Sequence, residues 1–202
     1  MLRRRPLAAV AGLALRPADI DPAAPPEGAR VGLRVLERGD REEFLALARE
    51  SRELHRPWTY PPERGDQFDD LFARSRRDDF VCLLACLVDD GAIAGVFTVS
   101  QIVRGAFQSA YLGYYAHGRY ARQGLMREAM EQVLDHSFGP LALHRLEANI
   151  QPGNRPSIAL ARGAGFRLEG FSPRYLLIGG QWRDHERYAI TVDERAAQKS
   201  PS

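Results

Sequence analysis

With 202 residues, the chain can bury one sizeable core and is too short for two ordinary domains plus a linker. Its 45% hydrophobic and 27% charged content are globular values, and no apolar run approaches the roughly 20 residues of a membrane-spanning helix. A net charge of +2 without a basic patch gives no reason to expect nucleic acid or an acidic membrane as partner, and a single lysine, Lys199, among 28 cationic residues removes one class of lysine chemistry.

The opening Met1-Leu2-Arg3-Arg4-Arg5 and the apolar stretch from Leu7 to Leu15 imitate a secretory leader of minimal length, but no convincing small-residue cleavage site follows. Residues 16–30 hold four prolines and several alanines without periodicity, so residues 1–30 are expected to form a flexible arm. Alternation at Val31, Leu33 and Val35 predicts a first strand. Gly39-Asp40 then opens a helix with apolar Phe44, Leu45, Leu47, Ala48 and Leu54, ended by Arg56-Pro57-Trp58 and Pro61-Pro62. A shorter helix over 67–76 puts Phe68, Leu71 and Phe72 on one face.

Two strands follow, 80–88 and 93–102, joined by the tight-turn sequence Asp89-Asp90-Gly91, and a third over 107–116 closes an antiparallel meander. Cys82 and Cys86, four apart in a strand, point to one face; a disulfide along one strand is geometrically poor, so both are expected as buried reduced thiols, in keeping with a reducing cytoplasm. From Gly124, apolar residues at Leu125, Met126, Ala129, Met130, Val133, Leu134 and Phe138 give an amphipathic helix of about four turns. Residues 144–151 alternate between apolar Leu146, Ala148, Ile150 and polar Arg145, Glu147, Asn149, Gln151, which predicts a strand with one buried and one wet face.

Asn154 stands at a helix N-cap position, with Pro156 in the first turn and Gly165 past the end. Strands over 166–178 and 181–192, joined by Gly179-Gly180, finish a domain at 31–192, and residues 193–202 read as a frayed polar tail. The sum is an α/β fold: a mixed, mostly antiparallel sheet of about seven strands flanked by about four helices. One long crossover, from the 107–116 strand through the Gly124 helix to the 144–151 strand, is a βαβ unit and places those two strands parallel.

That unit is where chemistry is expected. A loop turning from strand to helix exposes consecutive N–H groups to a phosphate, Gly124 lets the backbone approach closely, and Arg119 or Arg122 can add charge. The same residues also suit an ordinary structural turn. No histidine pair has metal spacing, so no metal is expected.

Within this segment the chain resembles the GNAT superfamily of acyl-CoA-dependent N-acetyltransferases. The family's phosphate loop reads Gln or Arg, any, any, Gly, any, then Gly or Ala. Gly124 matches its central glycine, Ala121 and Met126 replace its first and last positions, and Arg122 stands where glycine is frequent. Asn154-Arg155-Pro156-Ser157, followed by Gly163-Ala164-Gly165-Phe166, resembles the family's Asn, any, any, Ser pattern and its glycine-phenylalanine ending. Leu112-Gly113-Tyr114, His144-Arg145, Ala148-Asn149 and Gly180-Gln181-Trp182-Arg183-Asp184-His185 are similar to the RimJ and RimL type of ribosomal-protein-alanine N-acetyltransferase; Arg56-Pro57-Trp58 sits where that group carries a Pro-Trp pair.

The resemblance implies a cytoplasmic enzyme, monomer or homodimer, that uses acetyl-CoA as cosubstrate and a protein N-terminal α-amine as acceptor, without nucleic acid, membrane or metal. It implies cofactor contacts at Tyr115, Ala116, Arg122, Gln123, Gly124, Leu125, Met126 and Asn154, with backbone N–H groups near Tyr115 and Ala116 polarising the thioester carbonyl. Ser157 is the implied acid for the leaving thiolate. The base stays open: relatives place a glutamate where this chain has Asn149, which leaves three alternatives, namely Glu147 as base from the same wet face, Glu147 in a structural ion pair with Arg145 or another arginine, and a water chain ordered by Asn149. A small-amine acetyltransferase and a silent acyl-CoA-binding module are the competing readings.

Overall fold

The structure is a computed structural model that describes residues 20–199; the leader-like segment, including Leu7 to Leu15, lies outside the described residues. Seven strands form one sheet: β1 (Val31–Val35), β2 (Phe80–Leu87), β3 (Ile93–Val103), β4 (Ser109–Ala116), β5 (Arg145–Ile150), β6 (Arg167–Ile178) and β7 (Gln181–Thr191). Their spatial order is β1-β2-β3-β4-β5-β7-β6. The meander β1 to β4 is antiparallel, β4 and β5 run parallel as the crossover requires, and β7 returns antiparallel between β5 and the edge strand β6.

Among the described residues, six α-helices flank the sheet, two more than the four expected from the sequence: α1 (Arg41–Glu50), α2 (Arg52–His55), α3 (Gly65–Ser75), α4 (Leu125–Phe138), α5 (Arg155–Gly163) and α6 (Val192–Lys199). One addition, α2, resumes the first predicted helix after a break at Ser51. The other, α6, corrects the expectation of a frayed tail. Thr191 and Glu194 form a reciprocal cap, Thr191 N–H donating to the Glu194 carboxylate (2.8 Å) and Glu194 N–H to the Thr191 hydroxyl (3.3 Å). Arg195, buried, then reaches Glu131 (2.5 Å) and Asp135 (3.1 Å) on α4.

Strand β2, in the middle of the meander, is buried on both faces, which explains its near-continuous apolar run. Val81, Leu83 and Ala85 join the core under α4 and α5, whereas Cys82, Leu84 and Cys86 join the core under α1 and α3. Both cysteines are free thiols on one face, and burial pushes the Cys82 thiol up to about 12.

Residues 20–30 are tied down in two places, against the expectation of a loose arm. Ile20 packs against the core under α4, and the main-chain N–H groups of Arg30 (2.6 Å) and Val31 (3.2 Å) both donate to Glu128 on that helix. The Arg30 guanidinium adds bonds to Glu128 (3.1 Å) and to the carbonyl of Gln123 (3.1 Å), so the arm braces the loop before α4 from behind.

Candidate active site

The parallel pairing of β4 and β5 covers only Ser109↔Arg145, Ala110↔Leu146 and Tyr111↔Glu147, although both strands run further. Beyond Tyr111, β4 stays with β3 as far as Ala116, and beyond Glu147, β5 stays with β7 as far as Ile150. A gap therefore opens between them. Which main-chain groups line it follows from two anchors. Gln108, before β4, turns its carbonyl to β5 and accepts from His144 (2.7 Å) and Arg145 (3.2 Å), while the His117 N–H, after β4, donates to the carbonyl of Ala94 in β3 (2.9 Å). Alternation between these anchors turns the N–H groups of Tyr114 and Ala116 into the gap. By the same alternation the N–H of Tyr115, which stands opposite Val96, turns toward β3.

Three side chains hold the mouth of this gap. The Tyr114 hydroxyl donates to the carbonyl of Ser157 at 2.8 Å, spanning from β4 to the first turn of α5. Burial raises the phenol further above its ordinary range, so the hydroxyl keeps its proton. His55, at the end of α2, lies 2.8 Å from the carbonyl of Ala116 and donates to it in the tautomer that carries its proton on Nε2. Asn154 caps α5, its Oδ1 accepting from the Ser157 N–H at 3.3 Å. Its side-chain NH₂ remains for a ligand. Ser157 is half-buried, bonded through its main chain on both sides.

At the wider end lies the loop before α4. Arg122 (φ 61°) and Gly124 (φ 81°) both adopt left-handed backbone, so Arg122 takes up the conformation for which glycine is favoured. Arg122, Gln123 and Gly124 are exposed. No backbone acceptor is found among the described residues for the N–H groups of Arg122, Gln123, Gly124, Leu125 and Met126. Five consecutive donors at the N-terminus of a 14-residue helix form a cradle for a phosphate group. Arg119 is engaged with Glu50 (3.2 Å), which leaves Arg122 as the arginine of this loop without an ion pair among the described residues. The bulk of Met126, where the family pattern has a small residue, is accommodated by β3: a Cβ at Gly95 would run into the Met126 sulfur.

The two candidate bases differ in place. Glu147 sits in the last paired step, opposite Tyr111, and its carboxylate is bonded to Arg145 at 2.9 Å. Arg145 also holds Glu169, whose carboxyl is drawn down to about 2 first by that guanidinium. The ion-pair alternative is the one this geometry favours. Asn149 lies one step further, beside the gap, and its Oδ1 is buried with no hydrogen-bond partner among the described residues. A buried carbonyl oxygen without a partner is costly and suits a bound water or amine.

Sequence reasoning missed Tyr114 as a bridge and His55 as a partner of the Ala116 carbonyl, because neither contact leaves a local motif. Asp184 accepts from the Arg174 N–H at 2.7 Å and so pins the β6–β7 hairpin, while Trp182 is 61% exposed at its tip. Among the described residues, no group of three or more His, Cys, Asp or Glu side chains is placed to hold a metal ion, and no helix is long and apolar enough to cross a membrane.

Comparison with known proteins gives independent findings. The family model described as "Acetyltransferase (GNAT) domain" matches residues 30–167. The chain is 31% identical over 172 residues to the probable N-acetyltransferase YjcK of Bacillus subtilis, covering 81% of this chain and 95% of the relative. It is 40% identical over 106 residues to the [ribosomal protein uS5]-alanine N-acetyltransferase of Escherichia coli, covering 52% of this chain and 55% of the relative. Among solved structures, Mycobacterium smegmatis RimJ in complex with CoA-disulfide superposes with a TM-score of 0.75 at 30% identity, covering 82% of this chain and 84% of that one.

Proposed function

The chain belongs to the GNAT acetyltransferase family, and from that premise we propose that it transfers an acetyl group from acetyl-CoA to the N-terminal α-amine of a protein. One observation carries the proposal: the β4–β5 pairing stops at Tyr111↔Glu147 and leaves a gap lined by free main-chain donors, next to the five N–H groups of residues 122–126. The relatives acting on a ribosomal-protein alanine, similar over half of this chain, support the choice of acceptor.

The donor set fits an elongated anionic thioester. Main-chain N–H groups of Arg122 to Met126, with the α4 dipole and the Arg122 guanidinium, hold a diphosphate. The Asn154 amide serves the amide-bearing arm. Bound acetyl-CoA supplies an activated acetyl group whose thiolate is a good leaving group.

The protein then has three tasks: polarise the carbonyl, remove the amine proton and return a proton to sulfur. The N–H groups of Tyr114 and Ala116 point where the carbonyl oxygen gains charge, and His55 holds the carbonyl of Ala116, one peptide group further along. Water hydrogen-bonded to the unpartnered Asn149 Oδ1 carries the amine proton out to bulk solvent, which leaves Glu147 to its ion pair with Arg145. The Ser157 hydroxyl hands its proton to the departing sulfur as it takes one from solvent water, so the serine ends neutral, held in register by Tyr114 and Asn154.

The test is thiol release from acetyl-CoA in the presence of peptides beginning with Ala, Ser or Met, the same peptides with blocked N-termini, and free small amines. A kcat/KM at least ten times higher for free-N-terminus peptides is the expected result. Faster turnover of small amines would replace this acceptor reading.

A further inference from the structure

Beside the acceptor mouth lies a second concavity, of about 410 Å³, between α1, α2, the 56–64 loop and the start of α3. Arg49, Arg52, Arg56 and Arg64 line it, against one lining carboxylate, Glu63. The first three come from the end of α1, the start of α2 and the residue just past α2, and the break at Ser51 brings them to one opening. Glu63 is claimed by Arg52 through two contacts, which hold its carboxyl below the usual range, and lies 3.7 Å from Arg56. Arg64 is paired with Asp66 (2.8 Å). Among the described residues, Arg49 reaches the main-chain carbonyl of Glu63, at 3.3 Å, and no carboxylate. Arg56 shares Glu63 with Arg52, so one carboxylate faces two guanidinium groups and the opening keeps an excess of positive charge, with Arg49 unpaired.

The same loop borders the reaction cleft. His55, next to Arg56, bonds the Ala116 carbonyl in the gap. Trp58 lies against Gly153 before α5, and Gln151 Nε2 donates to the Trp58 carbonyl at 3.0 Å. Tyr60 carries the Arg56 guanidinium over its ring, 5.2 Å from the centroid, and packs its hydroxyl against Gly179 in the β6–β7 turn. A peptide whose first amine sits at the gap and which leaves across this loop, at roughly 3.3 Å per residue, meets the arginines within its next several residues.

We propose that the pocket of Arg49, Arg52, Arg56 and Arg64 is an acceptor subsite for an acidic side chain, Asp or Glu, downstream of the reactive N-terminus. The inference rests on the protein-acceptor reading above. Guanidinium forks match a carboxylate bidentately; Arg49 is unpaired among the described residues, and Arg56 has only a shared, longer contact to Glu63. A polycationic small amine is repelled by the same surface.

The test is binding of two dye-labelled peptides to the whole protein with CoA present. Both begin with Ala; one carries Asp and Glu at positions three to seven, the other Asn and Gln. The acidic peptide is expected to bind about tenfold tighter at low salt, with the preference shrinking at high salt and falling to about twofold or less in an Arg49→Gln/Arg56→Gln double variant. Equal binding of the two peptides, or a preference that survives the double substitution, would overturn the subsite. Acetylation of both peptides is followed in parallel. Transfer that proceeds without a binding preference rejects the pocket alone. A preference without any peptide acetylation rejects the α-amine reading and retains the pocket as a site for acidic segments.

Discussion

At the scale of single residues, the site depends on a few side chains that bond main-chain groups. Tyr114→Phe removes the hydroxyl that ties β4 to the Ser157 carbonyl. It is expected to lower stability by about 1 kcal/mol, read from the urea midpoint, and to lower kcat more than it changes affinity for CoA. Unchanged kcat would show that the bridge is not needed for the reaction. Ser157→Ala is expected to reduce kcat by about 10²-fold or more with CoA affinity retained, since the hydroxyl acts only as sulfur departs; loss of CoA binding with kcat intact would assign Ser157 to the cofactor instead.

His117 gives a pH test at the same scale. Burial, and then the neighbouring His55, push its imidazole from 6.5 down to about 4, opposed in part by the main chain of Leu47. A histidine with a depressed folded pKa is neutral in the folded state while the unfolded chain takes up a proton. Its contribution is therefore fully present above about pH 6.5 and is lost as pH falls toward 4, at about 1.4 kcal/mol for each pH unit. Urea midpoints across that window should fall for the native protein and fall less steeply for His117→Gln; parallel slopes would contradict the assignment.

At the scale of elements, the loop before α4 shows how a departure from a family pattern can be absorbed elsewhere. Met126 is large where a small residue is usual, and the space comes from Gly95 on the neighbouring β3. Gly95→Ala is expected to cost about 1–3 kcal/mol and to weaken CoA binding by moving the first turn of α4, and Met126→Ala should restore part of both losses. Strict additivity in the double variant would mean that the two positions do not share this space. The sequence marked Gly124, Asn154 and the parallel crossover because caps, glycines and periodicity are local signals. It left the Gly95 and Met126 pairing and the His55 and Ala116 bond invisible, since each joins segments 31 or more positions apart whose approach is set by the whole sheet. Helix α6 was different: the Thr191 and Glu194 capping box is a local signal, overlooked because the residues after it are polar. Their charges serve α4, with Arg195 and Lys199 meeting Asp135.

At the scale of the whole molecule, one sheet separates two tasks. Its α4 and α5 face carries the larger core and, at the end of β4, the donors proposed for the cosubstrate. The opposite face is covered by α1 and α3 over the meander, and past β4 it presents Glu147 and Asn149, with Arg187 paired opposite Asn149, where the acceptor is proposed to enter. The 56–64 loop joins these regions, with Trp58 against the β5–α5 loop and Tyr60 against the β6–β7 turn. The most direct test of transfer to a protein N-terminus is to incubate the enzyme with isotope-labelled acetyl-CoA and a peptide carrying both a free N-terminal alanine and an internal lysine, then locate the label by tandem mass spectrometry. Label on the α-amine alone is the expected result; label on the lysine, or on neither amine while free small amines are acetylated, would contradict it.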